Sequence, residues 1–474
     1  MATIRIPFNE WLPDQPAVAQ SMQDASNVVP IASGYAPFPL AVDYSNAASE
    51  NLLNVGTGKF SSITELFAGG ATKLFKFNPA TLNLDDVSKV GGYNTTTWDF
   101  EQFGDVLLAA NGIDKIQAWT VDTSTVFADL AAAAPTAKYV AVIRDFVVAA
   151  NLDLGVNPNK VQWSDLADET NWTSGSTTQS DFQIIPDGGN ITGISGGEFG
   201  IIFLERSIVR MSYIGSPFFF QFDTISRNLG CKYGGSVTQY GQMSYFLSAD
   251  GFYSCDGQSI VPIGNEKVDR YFYDNVDLNK ADKITVAIDP IRKLVVWNYP
   301  TVSQTRSLLI YNWQLQRWSQ AETTADYIVS AASSGYTLEA LDAFGTLDTL
   351  TTSLDSPLWT GGSFLFAGIT DTKIITFTGA NSTANLITSD IEQGYNSIAT
   401  LGRPQIDNGS ATVAVASRKE LDDTITFSTA VATSSEGRAS LRSYGRYHRF
   451  EVVPTGSWTS AIGIDIDITQ QGNR

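Results

Sequence analysis

The single histidine is the first place where this sequence could do chemistry. His448 is the only histidine among 474 residues, so a metal site built from several histidines is excluded, and a Ser-His-Asp hydrolase would depend on this one side chain. It lies in the run Arg446-Tyr-His-Arg449, where the neighbouring arginines disfavour a second positive charge on the imidazole. We therefore expect His448 to make structural hydrogen bonds rather than to catalyse a reaction.

Other catalytic patterns are missing from the sequence. It contains no GxxxxGK[ST] and no GxSxG pattern, and the glycine-rich run at 193–200 does not open a helix as a dinucleotide loop would. The 49 acidic residues leave a glycosidase pair open, since such a pair is recognised only by its geometry. Pairs such as Asn111-Gly and Asp250-Gly are typical of hairpin turns. We expect a protein that is not an enzyme and has no cofactor or metal.

A cluster of arginines near the end of an acidic chain is the strongest candidate for a contact surface. It could be a solvated strand face with local ion pairs, or a docking surface on which arginines meet the acidic patches of a neighbouring subunit. The sequence leaves both interpretations open. The candidate subunit interface consists of Arg438, Arg442, Arg446, His448 and Arg449.

The elements that carry these residues are expected to be strands. The chain has 10 Trp, 18 Tyr, 26 Phe and 39 Gly but only 30 Lys and Arg, a composition that favours strands and tight turns over long helices. Short apolar runs recur between turn residues, most clearly VLLAAN at 106–111 and FVVAAN at 146–151, and later IIFL at 201–204 and LVVWN at 294–298. Unbroken runs of this length suit strands buried on both faces.

These runs define one hairpin unit that repeats every ~40–55 residues, the period of propeller blades. We predict an all-β fold, an irregular β-propeller with an additional C-terminal β-sandwich-like domain; a large sandwich of hairpins is the competing architecture. The predicted division is an extended N-terminal arm at 1–45, which contains six prolines, a propeller-like repeat domain at 46–364, and a C-terminal β domain at 365–474. Strands are expected in the C-terminal domain at 424–427 (TITF) and 463–468 (GIDIDI). Short helical pieces are expected at 338–350, in the propeller-like domain.

The charge of the chain is strongly negative and unevenly distributed. Residues 365–474 hold 11 acidic and 9 basic side chains, a net −2 of the total −19, so residues 1–364 carry −17. This argues against a broad basic face for nucleic acid. The negative charge either serves solubility or suits the wall of a channel past which DNA slides without binding.

The cysteines and the apolar stretches indicate the cellular compartment in which the chain is made. Cys231 and Cys255 are expected to be buried free thiols in so large a chain. The start, MATIRIPFNEWLPD, lacks the apolar run of a signal peptide, and no stretch reaches the ~20 apolar residues of a membrane span. We expect a protein made in a cytoplasm, without a membrane span.

Several segments together resemble a family of phage structural proteins. They are RSIVRMSYIG at 206–215, FQFDT at 220–224, LSADGFYSCDG at 247–257, PIG at 262–264, GRYHRF at 445–450, GIDID at 463–467 and GNR at 472–474. These are similar to the tail nozzle, or tail tubular protein B, of short-tailed bacteriophages and to the related packaged-DNA stabilisation proteins. The likeness spans roughly residues 200–474.

The resemblance implies a structural virion protein of the phage tail, made in the host cytoplasm. Six copies would form a ring, the distal tail tube, which contacts adaptor and fibre proteins. Viral DNA would be retained by this nozzle and would leave through its lumen during ejection, without sequence-specific binding. The family has no catalytic residues to carry over. The alternative function is a receptor- or glycan-binding β-propeller at the tail tip.

Overall fold

The architecture is all-β, a propeller joined to a C-terminal β-sandwich-like domain. It is seen in a computed structural model that describes residues 2–335, 345–346, 348 and 361–471. The predicted helical pieces at 338–350 fall mainly outside these residues. The chain begins with five short strands: β1 (Ala2–Pro7), β2 (Met22–Ser26), β3 (Val28–Ile31), β4 (Gly34–Pro37) and β5 (Val42–Asp43).

The middle of the chain folds into consecutive antiparallel sheets of four strands. Their strands are β6 (Leu52–Phe60), β7 (Ile63–Gly70), β8 (Leu74–Asn78) and β9 (Asn83–Asp86); β10 (Asp99–Phe103), β11 (Val106–Ala110), β12 (Gln117–Thr120) and β13 (Ala128–Asp129); β14 (Ala137–Ile143), β15 (Phe146–Leu152), β16 (Asn157–Trp163) and β17 (Asp181–Ile184); β18 (Ile191–Ser195), β19 (Gly200–Leu204), β20 (Ile208–Gly215) and β21 (Phe219–Ser226); β22 (Thr238–Tyr240), β23 (Met243–Leu247), β24 (Phe252–Cys255) and β25 (Ile260–Pro262). Short 3₁₀ helices lie at Asp153–Gly155 and Gly234–Ser236.

The rest of the chain completes the propeller and forms the second domain. Helix α1 (Asp269–Asn275) and a 3₁₀ helix (Leu278–Lys283) lead to β26 (Thr285–Asp289), β27 (Leu294–Pro300), β28 (Arg306–Asn312), β29 (Arg317–Thr323), β30 (Tyr327–Ala332), β31 (Phe364–Thr370) and β32 (Lys373–Thr376). The C-terminal strands are β33 (Asn385–Thr388), β34 (Ile391–Asp407), β35 (Ser410–Arg418), β36 (Val431–Ala432), β37 (Ala439–Thr455) and β38 (Ser460–Gln470).

Six of the four-stranded sheets are separate blades, and β26–β29 form a seventh set of four that is one end of a 14-stranded sheet. The innermost strands β6, β10, β14, β18, β22, β26 and β30 surround a central channel. Beyond β29 the large sheet continues through β2 and β33 into the strands of the C-terminal domain. The two parts are therefore joined by a continuous sheet.

The unbroken apolar runs are explained by the packing between blades. On β11, Leu107 packs in the cluster shared with the preceding blade and Leu108 in the cluster shared with the following one. Val147 and Val148 on β15 divide in the same way. Since successive side chains of a strand point to opposite faces, a strand with a blade on each side needs apolar residues at every position.

The start of the chain is built into both parts of the fold. β1 pairs with β38, and β2 pairs with β29 and β33. β5 is the fourth strand of the sheet β30-β31-β32-β5, so this blade takes residues from both sides of the predicted boundaries at 45/46 and 364/365. The reason is physical: a strand from the start of the chain covers the outer edge of β32 and leaves only the two-residue strand β5 at the rim of this blade.

Two local expectations meet different outcomes. GIDIDI at 463–468 lies in β38 and alternates buried isoleucines with partly exposed aspartates, as predicted. TITF at 424–427, predicted to be a strand, belongs to no strand. Both cysteines are free and buried. Among the described residues no helix is long and apolar enough to cross a membrane.

Candidate functional site: the central channel and strand β37

The central channel is a largely polar space between the innermost strands. Its main chamber has a volume of about 480 Å³ and is lined by all seven inner strands. A second chamber of about 350 Å³ follows. Both chambers are bordered by Ile194, Val237 and Thr238. The volumes are those of small-molecule pockets.

Two carboxylates of β10 lie in this channel. Asp99 borders the main chamber and Glu101 the second one, because residues two apart on a strand share a face. Asp99 accepts a hydrogen bond of 2.9 Å from the backbone N–H of Val140. Burial nevertheless outweighs this bond and raises the pKa of Asp99 to about 7. Burial, followed by the charge of Asp99, raises the pKa of Glu101 to about 7 as well.

Two lysines supply positive charge to the same chamber. Lys138 lies with its Nζ 5.4 Å from the ring centroid of Tyr139, and burial lowers its pKa. It makes no ion pair with any described residue. The Nζ of Lys283 donates a hydrogen bond of 2.7 Å to the Tyr327 hydroxyl, which raises the lysine pKa. Of the charged groups in the channel, Asp99 and Glu101 are those whose pKa lies near 7. Within the described ranges, no cluster of His, Cys, Asp and Glu could hold a metal.

The candidate interface residues all lie on or beside β37, but the structure divides them. Arg438, Arg442 and Arg446 are exposed. Arg438 pairs with Glu436 and Arg446 with Glu392, whereas Arg442 has no ion-pair or hydrogen-bond partner among the described residues.

His448 and Arg449 lie inside the fold, so in this fold they cannot present their side chains to a neighbouring subunit. The imidazole of His448 is fully buried, with Nε2 2.7 Å from Ser397 Oγ and Nδ1 2.7 Å from Ser417 Oγ. Burial lowers its pKa to about 4, which keeps the ring neutral at neutral pH. This geometry is that of a structural histidine.

Arg449 is part of a buried ion-pair triad. Its Nη2 lies 2.8 Å from Oδ2 of Asp390, which also pairs with Arg418. The Asp390 side chain is 2% exposed. This carboxylate therefore connects the start of β34 with the end of β35 and with β37.

Sequence reasoning missed the channel carboxylates and the triad. The only signal for Asp99 and Glu101 is that they stand two residues apart, on either side of Phe100, a spacing that equally describes a strand with one wet face. Asp390 stands 28 residues from Arg418 and 59 from Arg449. No spacing rule connects residues so far apart.

Comparison with known proteins gives a likeness in fold alone. No family model and no curated protein matches the chain. Among solved structures it is similar to the Cps50 (Swd1) β-propeller domain of Myceliophteria thermophila, with 11% identity and a TM-score of 0.40 over 61% of this chain and 92% of that one. It is also similar to the computationally designed Ika8 protein, with 8% identity and a TM-score of 0.37 over 75% of this chain and 96% of that one.

Proposed function

We propose that this chain is a structural subunit of the distal tail tube, or nozzle, of a short-tailed phage. In this role it does not act as an enzyme. Copies of it, six in the proposed assembly, would form a ring below the adaptor proteins and beside the fibres of the virion tail. The ring would retain packaged DNA and later serve as its exit path.

The observation that supports this proposal is the distribution of charge over two joined domains. Residues 1–364 carry −17 of the total −19, while β37 of the other domain exposes Arg442 and Arg446. An acidic wall repels the phosphate backbone and leaves DNA mobile, since binding to DNA requires clustered cations. The exposed arginines of one copy are positively charged and can pair with the acidic surface of the next copy.

In this proposal DNA passes through the middle of the ring and not through the propeller of a single copy. The propeller channel, about 480 Å³ in its main chamber, has the size of a small-molecule pocket. A ring lumen between copies has no such limit. The acidic residues that matter for DNA would then be those on the surface that faces the ring axis.

A subunit of a pressure-bearing tube benefits from domains that cannot separate easily. Here the start of the chain connects the two parts. β1 pairs with β38 of the C-terminal domain, and Asp14 accepts hydrogen bonds of 2.9 and 2.8 Å from the backbone N–H groups of Arg270 and Tyr271 at the start of α1. Arg317 of β29 donates to the carbonyl of Asn9 at 2.8 Å. These contacts support a single stiff body.

The proposal is tested on virus particles assembled with and without this chain. Particles that lack it should fill with DNA and then lose it, so that their DNA becomes sensitive to added nuclease. Supplying the chain in trans should restore protection. If particles without the chain keep their DNA as well as complete particles do, the retention function is wrong.

A further inference from the structure

The six-strand set β36-β35-β37-β34-β38-β1 ends in two strands that each lack a neighbour on one side. Within the described part of the chain, β36 pairs only with β35, and β1 pairs only with β38. An open edge presents free N–H and C=O groups, which are a template for another strand.

The first edge, residues 424–432, has none of the usual protection against pairing. Residues 424–435 read TITFSTAVATSS, twelve positions without a charge, a proline or a glycine. Proteins commonly protect exposed edges with lysine, proline or a bulge, and uncharged segments of high β-propensity pair readily. The sequence predicts a strand at 424–427, and the single chain gives this segment no strand partner.

The second half of the 424–432 edge is hydrogen-bonded to β35, and its last two residues form the strand β36. The backbone N–H of Ser428 donates to the carbonyl of Val415 at 2.9 Å, and that of Thr433 donates to Ala411 at 2.9 Å. Ala432 pairs with Thr412 in the β35–β36 register. Because N–H groups in an antiparallel pair point alternately toward and away from the partner, the N–H of Ala432, next to Thr433, points away from β35. Ala430 and Ala432 are both exposed.

The second edge, β1, has free groups at Thr3 and Arg5. The N–H of Phe8 donates to the carbonyl of Ile462 in the direction of β38, at 3.0 Å, so by the same alternation the N–H groups of Thr3 and Arg5 point outward. Pro7 falls in the outward set and has no N–H to offer. Pairing along this edge would therefore end before Pro7.

We propose that β1 of one copy pairs with the 424–432 edge of the next copy, so that the C-terminal sheets of neighbouring copies join around the ring. This deepens the proposed function and rests on it, since it assigns a contact within the ring. Two different edges in contact form a heterologous interface, and a heterologous interface is the kind that closes into rings larger than a dimer.

Charge favours this pair of edges over the pairing of like edges. β1 exposes Arg5, which pairs with Asp465 of its own chain. The segment that leads into the 424–432 edge exposes Glu420, Asp422 and Asp423. An arriving Arg5 would meet carboxylates, whereas two copies of the 424–432 edge would bring these acidic segments together.

Engineered cysteines test the contact directly, because Cys231 and Cys255 are buried and will not interfere. The double variant Thr3→Cys/Ala432→Cys, assembled and then mildly oxidised, should give a ladder of covalently linked chains on a non-reducing gel. The control variant Thr3→Cys/Val90→Cys keeps one edge and moves the second thiol to a fully exposed propeller residue. It should give no ladder.

A proline variant provides a second, independent measurement. Ala432→Pro removes an outward N–H and should raise the concentration needed for half-assembly by about fivefold or more, with the melting temperature of the single chain unchanged and Ala432→Ser as control. Rings that form without a thiol ladder and without a proline effect overturn this contact but leave the nozzle proposal standing. Absence of any ring, alone or on an adaptor ring, overturns both.

Discussion

Asp99 on β10 accepts a hydrogen bond of 2.9 Å from the backbone N–H of Val140 on β14, the next inner strand around the channel. The contact connects two blades at the wall of the main chamber, yet burial still raises the pKa of this carboxyl from 3.8 to about 7. Between about pH 4 and pH 7 the folded chain therefore keeps the Asp99 side chain protonated, whereas the unfolded chain has already released that proton.

We predict that Asp99→Asn is more stable than the wild type at pH 8 and about equally stable at pH 4. A raised carboxyl pKa contributes stability below the unfolded value that is lost as pH rises toward 7, and asparagine can accept the same hydrogen bond without ionising. The expected gain in unfolding free energy at pH 8 is about 1 kcal/mol or more. Urea unfolding at the two pH values checks it; an equal effect at both would show that ionisation is not involved.

His448 should have the opposite dependence on pH. Its pKa is lowered from 6.5 to about 4, so its contribution to stability is present above pH 6.5 and is lost as pH falls through 4. His448→Gln can still hydrogen-bond to Ser397 and Ser417 and does not titrate there. The variant should lose less unfolding free energy than the wild type between pH 7 and pH 4.5, followed by tryptophan fluorescence in urea. Equal losses would mean that this histidine does not contribute to acid unfolding.

The buried triad predicts a large effect from one carboxylate and a small one from its neighbour. Asp390→Ala leaves Arg418 and Arg449 buried without a counter-charge and should lower the unfolding free energy by about 3–5 kcal/mol. Glu392→Ala, two residues further along the chain, removes only the exposed pair with Arg446 and should have no measurable effect. Denaturant unfolding of the two variants side by side tests the contrast, which similar losses would contradict.

Much of the propeller can be predicted from the sequence because its signal is local. Runs such as 106–111 and 146–151 are apolar at every position, as strands between two blades must be, and their spacing gives the repeat. The pairing of β1 with β38 and of β5 with β32 joins residues from opposite ends of the chain. No local pattern encodes such contacts, so the prolines at the start indicate only an extended arm.

The candidate interface shows the same limit. Alternation along β37 predicts that Arg442 and Arg446 share a face, and both are exposed. The same alternation places Arg449 on the opposite face of β37, but its pairing with Asp390 could not be predicted, because only the fold brings the two residues together. The subunit interface remains a prediction, and it now concerns the three exposed arginines, Arg438, Arg442 and Arg446.

Reversal of two of these charges should weaken assembly without harming the fold. Arg442→Glu/Arg446→Glu replaces exposed cations with anions that would face an acidic neighbour, and like charges in contact are costly. We expect the assembly constant to fall by at least about tenfold. Arg206→Glu/Arg227→Glu, an equal charge change at exposed propeller arginines, should assemble normally. Unchanged assembly of the β37 variant, measured by sedimentation, would rule out docking through this strand.

The most direct test of the nozzle proposal is the mass and shape of the purified wild-type protein, alone and mixed with the adaptor ring of its virion, by mass photometry and electron microscopy. The proposal predicts particles of six copies arranged in a ring with an open centre. A protein that stays monomeric under both conditions would contradict it, and the glycan-binding propeller would then become the leading alternative.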